Sequence, residues 1–265
     1  MPDGSLPDAE LGRPKWRKSA FLLSHIVAGL LIFSWLLPPT RNWWAALDEK
    51  TFRLFNGILV DAPGQQYFWA LANNRSVDLV SGSLAVLVFI WWIWGNPRAV
   101  QNWRCAVFAA LTIPAIILPF VAHEVLERVF LFERPSPTIV YEDAQRLTQL
   151  VPEMETKDAS RYSFPGDHAF VLFSILFFYV YFNARKCVLI SILMAVIFML
   201  PRLVAGAHWL SDNIVGGAAP ALLITAWVLA TPFSYYFARI LLPIVNLVIG
   251  LMPSWLQIPE NRSRS

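Results

Sequence analysis

The stretch Ser163–Phe182, SFPGDHAFVLFSILFFYVYF, decides how the chain is read. Pro165 and Gly166 interrupt the backbone, and two ionisable residues, Asp167 and His168, follow at once. From Ala169 onward the sequence is almost wholly aliphatic and aromatic. A run of this kind approaches the ~20 apolar residues that cross a bilayer core, so it predicts a membrane helix. Ionisable groups at the mouth of such a helix are expensive, which makes them functional candidates.

Working outward, comparable apolar stretches occur at 19–38, 77–95, 104–124, 187–205 and 213–231, with the stretch above as 167–183. The whole chain of 265 residues is 57% hydrophobic and only 15% charged, a composition foreign to soluble globular domains. Twelve tryptophans agree, because indole rings favour the membrane–water interface. The predicted fold is therefore all-α: a polytopic membrane protein with six transmembrane helices in a bundle. Residues 1–18 form a tail, 19–233 the six-span domain and 234–265 a C-terminal segment. Within that segment FARILLPIVNLVIGLMPSW is apolar but broken by Pro243 and Pro253; a seventh span there would put Arg262 and Arg264 outside, against the charge rule, so a helix lying in the cytoplasmic interface is the preferred reading. A net charge of +3 says little about nucleic acid by itself, and with no basic run interleaved with aromatics no such partner is expected. Cys105 and Cys187 read as small apolar packing residues, with no disulfide framework.

Short loops give the orientation. Arg13, Lys15, Arg17 and Lys18 precede the first span, Arg98 and Arg104 separate the second and third, Arg185 and Lys186 follow the fourth, and Arg262 and Arg264 end the chain. Threading six spans puts all of them on one side, which the positive-inside rule assigns to the cytoplasm. Both termini then lie inside. The first span is too long for a cleaved signal and reads as an anchor. Segments 39–76 and 125–166 face outward and hold most acids, including Asp48, Glu49, Glu142, Asp143, Glu153 and Asp158, read as solvated loop residues. Within them YEDAQRLTQLVPEM predicts a short helix with Leu147, Leu150 and Val151 on one side.

Three polar clusters fall on that outer face: ERPSP around Arg134, SFPGDH around His168, and PRLVAGAHWLSD from Pro201 to Asp212. His208 and Asp212 are four residues apart and share a helix face. A carboxylate there can take the Nδ1 proton and leave Nε2 nucleophilic. Gly206 supplies the break that lets Arg202 turn back towards His208. At the second cluster, free backbone N–H groups of a helix N-terminus suit a phosphate, and Gly166 lets the backbone come close. His168 would stand beside that anion as a proton donor. Arg134 and Arg202 offer forked donors for phosphate oxygens. Metal ligation is the other reading of His123, Glu124, Glu127, Asp167, His168, His208 and Asp212. However, HEVLE carries Glu127 where a zinc-protease helix needs its second histidine, so neither a metal nor another cofactor is expected.

These clusters resemble the signatures of the type-2 phosphatidic acid phosphatase superfamily: Lys-x6-Arg-Pro, Pro-Ser-Gly-His and Ser-Arg-x5-His-x3-Asp. Arg134-Pro135 matches the end of the first, Pro165-Gly166-Asp167-His168 resembles the second, and Arg202, His208 and Asp212 keep the full spacing of the third. The resemblance implies a metal-free mechanism through a phosphohistidine. His208 would be the nucleophile, Asp212 its orienting base and His168 the acid for the leaving group. Arg134, Arg202 and the backbone at Gly166 would hold phosphoryl oxygens. The sequence departs from the pattern at Glu127, which replaces the first lysine, with Arg128 as a substitute charge. It also departs at Gly166, Asp167 and Pro201. Asp167 would need a partner such as Arg161 or Lys157.

The departures are similar to a branch of the superfamily acting on lipid A in the bacterial inner membrane. ANNRS, RPSPT, SFPGDH and PRLVAGAHWLSDNIVGG carry that likeness. It implies lipid partners: undecaprenyl diphosphate gives its distal phosphate, and the 1-phosphate of lipid A receives it on the periplasmic face. Asn74, Arg75 and Ser163 are possible substrate contacts, with Asn73 beside them; capping and interface anchoring account equally for Asn74 and Arg75. A phosphatase of undecaprenyl diphosphate or phosphatidylglycerophosphate, with water as acceptor, would use the same residues. A non-catalytic transporter or scaffold would not keep Arg202, His208 and Asp212 together.

Overall fold

The computed structural model describes residues 14–129, 132–253 and 257. Arg13, Arg262, Arg264, most of the 1–18 tail and 258–265 lie outside the described residues, as does the side chain of His123. The described chain is helical, without strands. Its elements are α1 (Lys18–Leu36), α2 (Pro38–Asn56), α3 (Pro63–Ala72), α4 (Arg75–Ile93), α5 (Arg98–Arg128), α6 (Pro137–Val140) and α7 (Leu147–Leu150). After these come α8 (Asp167–Tyr181), α9 (Arg185–Val204), α10 (Leu210–Asn213), a π-turn at Ile214–Ala218, α11 (Ala219–Leu229) and α12 (Phe233–Leu251).

Six helical stretches among the described residues are long and apolar enough to cross a membrane: α1, α4, α5, α9, the run Leu210–Leu229 and α12. This is the architecture of a multi-pass membrane protein. The set differs from the expected six in one exchange. The fourth expected span is α8, whose 15 residues extend only about 22 Å. It is also well enclosed, with Phe178 and Tyr179 fully buried among α5, α9 and α11. The added member is α12. Its Tyr235 ring lies against Trp103, and its Asn246 accepts from Asn102 at 2.7 Å. Both contacts fall in the first turns of α5, so α12 packs against the N-terminal part of that helix.

The bundle has two chemically different ends. At one, the Arg17 N–H donates to the Ala230 carbonyl at 2.8 Å, Arg17 lies over the Tyr181 ring and Arg104 over Trp92. At the other, α2, α3, α6 and α7 form a cap. Asp48, Phe52 and Asn56, spaced four apart on α2, are its buried face. Leu147 and Val151 are fully buried with Leu59, Val204 and Ala205, so the short helix expected there presents the expected side inward. Asp48 and Asp158, read from the sequence as solvated, are buried instead. Asp158 accepts from the Thr148 N–H and hydroxyl and from Arg146.

Gly206 sits where α9 ends and the chain returns towards α10, with φ at +68°. A Cβ there would lie 2.7 Å from the Thr138 methyl and 2.9 Å from the Phe52 ring. Gly206→Ala is expected to cost about 1–3 kcal/mol through backbone strain and crowding. The check is the unfolding temperature in detergent, and an unchanged value would show slack in this turn. Gly217, in the π-turn, lets α8 approach: its Cβ would be 2.6 Å from that of Ala169. Small residues at a helix contact permit such proximity.

Candidate active site

The three expected clusters meet at the capped end. The loop after α5 runs beside the segment before α8, where the Ser163 N–H donates to the Arg134 carbonyl at 2.9 Å. The start of α8 is held to α10 through the Gly166 N–H, which donates to the Asp212 carbonyl at 3.1 Å. The backbone then arranges two adjoining polar networks.

The first surrounds His208, which is 6% exposed. Its Nδ1 lies 2.7 Å from the Ser163 carbonyl oxygen and 3.6 Å from Asp212 Oδ2. A carbonyl can only accept, so Nδ1 carries the proton and the neutral ring keeps its lone pair on Nε2. The expected tautomer is the one this contact favours, but the group that fixes it is a backbone carbonyl. Asp212, expected in that role, spends Oδ2 on the Trp209 N–H at 2.8 Å, capping α10. Its Oδ1 is bonded by Arg134.

Arg134 is correspondingly occupied. It also donates to Asp48 Oδ2 and to the Ser211 hydroxyl, each at 2.8 Å, and sits among the rings of Trp35, Phe164 and Trp209. Expected to grip phosphate, it instead ties together two buried carboxylates. Burial pushes the Asp48 carboxyl above its ordinary range, against the Ser211 hydrogen bonds and the Arg134 charge.

The second network surrounds His168. Nδ1 is 2.9 Å from Asp167 Oδ1, and Nε2 is 3.1 Å from Asp78 Oδ2. Both partners are carboxylates, an arrangement that suits the doubly protonated ring. Asp167 thus pairs with its neighbour rather than with Arg161 or Lys157. It also lies in the first turn of α8, where the helix dipole favours an anion. Asp78 reaches further: both of its oxygens accept from Arg202 Nη2 at 3.1 Å. Arg202 Nη1 donates to the carbonyl and side-chain oxygens of Asn73 at 3.0 and 2.5 Å.

Several expected contacts resolve differently. The close approach that Gly166 permits is to chain, not anion. Its Cβ would be 2.9 Å from both the Asp212 carbonyl oxygen and Asn213 Oδ1, and its N–H is already used. Ser163 is fully buried and serves through its backbone. Asn74 caps α4 by accepting from the Ser76 N–H at 2.9 Å. Arg75 is largely exposed and 3.7 Å from Glu155, a pair of little energetic weight. Arg128 is exposed and pairs with Glu124 at 2.7 Å, one turn back on α5.

Sequence reading missed Asp78 and Asp48. Asp78 had a signal, a carboxylate inside an apolar span. Asp48 had only its spacing with Phe52 and Asn56. Among the described residues, no three His, Cys, Asp or Glu side chains gather to hold a metal ion.

Below His168 opens a cleft of about 560 Å³. Asp78, Lys157, Tyr162, Asp167 and His168 line its head, and Ala85, Ile116, Phe120, Leu172 and Phe198 its apolar lower part. A second groove of about 450 Å³, between α5, α8 and α11, is apolar apart from Asp167, which it shares with the first. A polar head over an apolar trough fits an amphiphile.

Comparison with known proteins agrees with this chemistry. The chain is 33% identical over 214 residues to lipid A 1-diphosphate synthase of Escherichia coli (strain K12), an alignment covering 80% of this chain and 88% of that protein. No solved structure matches it. Residues 105–237, which hold Arg134, His168, Arg202, His208 and Asp212, match the family model of the PAP2 superfamily, and the chain belongs to that superfamily.

Proposed function

We propose that the protein moves the distal phosphate of undecaprenyl diphosphate to the 1-phosphate of lipid A, through a phosphohistidine at His208 and without a metal. The observation that carries the covalent step is the Ser163 carbonyl on Nδ1, which leaves Nε2 as the free nucleophile. The choice of donor and acceptor rests on the similarity to lipid A 1-diphosphate synthase. Nε2 attacks the distal phosphorus, and the bond to the bridging oxygen breaks. His168 gives its proton to the departing undecaprenyl phosphate. Arg202 steadies the phosphoryl oxygens as Asp78 yields its place. An oxygen of the acceptor phosphate then attacks phosphorus, the N–P bond breaks, the lone pair returns to Nε2 and solvent restores the proton on His168. Asp212 and Arg134 hold the α10 turn that carries His208.

The basic residues at the opposite end of the bundle support a site on the periplasmic face of a bacterial inner membrane, with both termini cytoplasmic. The packing of α12 against the N-terminal end of α5, beside Arg98 and Arg104, supports its lying at the cytoplasmic interface.

The test supplies undecaprenyl diphosphate labelled in its distal phosphate, with and without lipid A. Label is expected on lipid A when that lipid is present. Label released as free phosphate in both cases would make water the acceptor and the protein a phosphatase.

A further inference from the structure

The cleft below His168 is lined by four carboxylates, those of Asp78, Glu124, Glu127 and Asp167. Such a lining repels an anionic headgroup unless a cation offsets it. The guanidiniums nearby start out paired: Arg202 to Asp78, which it must leave to meet phosphate, Arg134 to Asp48 and Asp212, and Arg128 to Glu124. One further cation lines the cleft, Lys157. Its side chain is exposed, and among the described residues no carboxylate lies within ion-pair distance of its ammonium. It is close enough to act on the charge of Asp167.

The backbone under this side chain is fixed. The Lys157 carbonyl accepts from Asn73 Nδ2 at 2.9 Å, Thr156 bridges to Asn74, and the next residue, Asp158, is buried in hydrogen bonds. Asn73 is itself 1% exposed, and its other amide atom accepts from Arg202. One buried amide therefore sets the base of the lysine arm relative to the Arg202 guanidinium.

We propose that Lys157 binds the phosphate of the lipid held in this cleft through its ammonium, and that Asn73 is the residue positioning it. The lipid's identity rests on the phosphotransfer reading; the contact with phosphate does not. An ammonium on a flexible stem, without a carboxylate to leave first, can follow a phosphate that moves during transfer and add its charge to that of Arg202.

The experiment follows acetylation of Lys157 in the full-length His208→Ala protein in detergent micelles, by mass spectrometry. Undecaprenyl diphosphate, lipid A or diacylglycerol is added, and Lys50 serves as the reference amine. Undecaprenyl diphosphate or lipid A is expected to slow acetylation of Lys157 by about tenfold at ten times its Kd, with diacylglycerol and Lys50 showing no change. Equal rates with all three lipids, or equal protection by diacylglycerol, would overturn the proposal. In the active protein, Lys157→Met is expected to raise KM for the labelled donor about tenfold, the worth of one charge-assisted hydrogen bond, and Lys157→Arg to recover most of it. Unchanged KM in Lys157→Met would equally count against the contact. Protection of Lys157 without label reaching lipid A would sink the proposed reaction and leave the phosphate contact standing.

Discussion

Replacing His208 with alanine is expected to remove phosphoryl transfer, with a loss of at least about 10⁴-fold in kcat, as when a covalent nucleophile is deleted elsewhere. The argument begins at the Ser163 carbonyl. It accepts the Nδ1 proton at 2.7 Å, so the free electron pair of a buried ring points from Nε2. No other imidazole in the two networks has a free nitrogen, because His168 meets a carboxylate at each of its own. Alanine removes the nucleophile and leaves a buried carbonyl without its donor, at about 1–3 kcal/mol. The variant should therefore fold with reduced stability while losing activity far more than stability. Rapid mixing with labelled undecaprenyl diphosphate, followed by alkaline quench, should trap acid-labile label on the parent protein and none on the variant. Full transfer by the variant would reject the nucleophile.

The unequal legibility of this site has a physical cause. The apolar spans were readable because length and hydropathy alone decide whether a helix suits a membrane. The exchange of α8 for α12 was only partly so: the fourth stretch was visibly short and the last apolar one could be a seventh span, but hydropathy does not say which of the two the bundle encloses. His168, Arg202, His208 and Asp212 were readable as candidates that would come together, because ionisable groups at helix mouths are rare and spacing relates them. Their partners were not. Which acceptor fixes His208 depends on Ser163, forty-five residues away, through an atom every residue possesses. Arg134 looked like a phosphate ligand because Asp48 and Asp212, far apart in the chain, gave no sign of converging on it. Polar side chains announce their type, but only the folded backbone reveals which are already satisfied.

Arg134→Ala should produce the largest loss of stability. Arg134 is the shared cation of Asp48 and Asp212, whose side chains are 4% and 0% exposed. Removing one member of a buried ion pair costs about 3–5 kcal/mol, because the charge left behind keeps its desolvation penalty. Here two carboxylates are stranded, and the upper part of that range is expected. Arg134→Lys should fall between, since one ammonium cannot serve both acids with the same fork. The pH dependence has a definite sign. Asp48 already has its carboxyl raised, mainly by burial, so its neutral form is favoured on folding. Stability from such a group is present at low pH and lost as pH rises through the folded-state value. Loss of the Arg134 charge strengthens that tendency, so the deficit of Arg134→Ala should shrink as pH is lowered and Asp48 takes up its proton. Adding Asp48→Asn should recover part of it at neutral pH. Thermal unfolding in detergent at two pH values measures all three. A variant as stable as the parent at neutral pH would mean that Asp48 and Asp212 find other donors, and that Arg134 is free to meet phosphate after all.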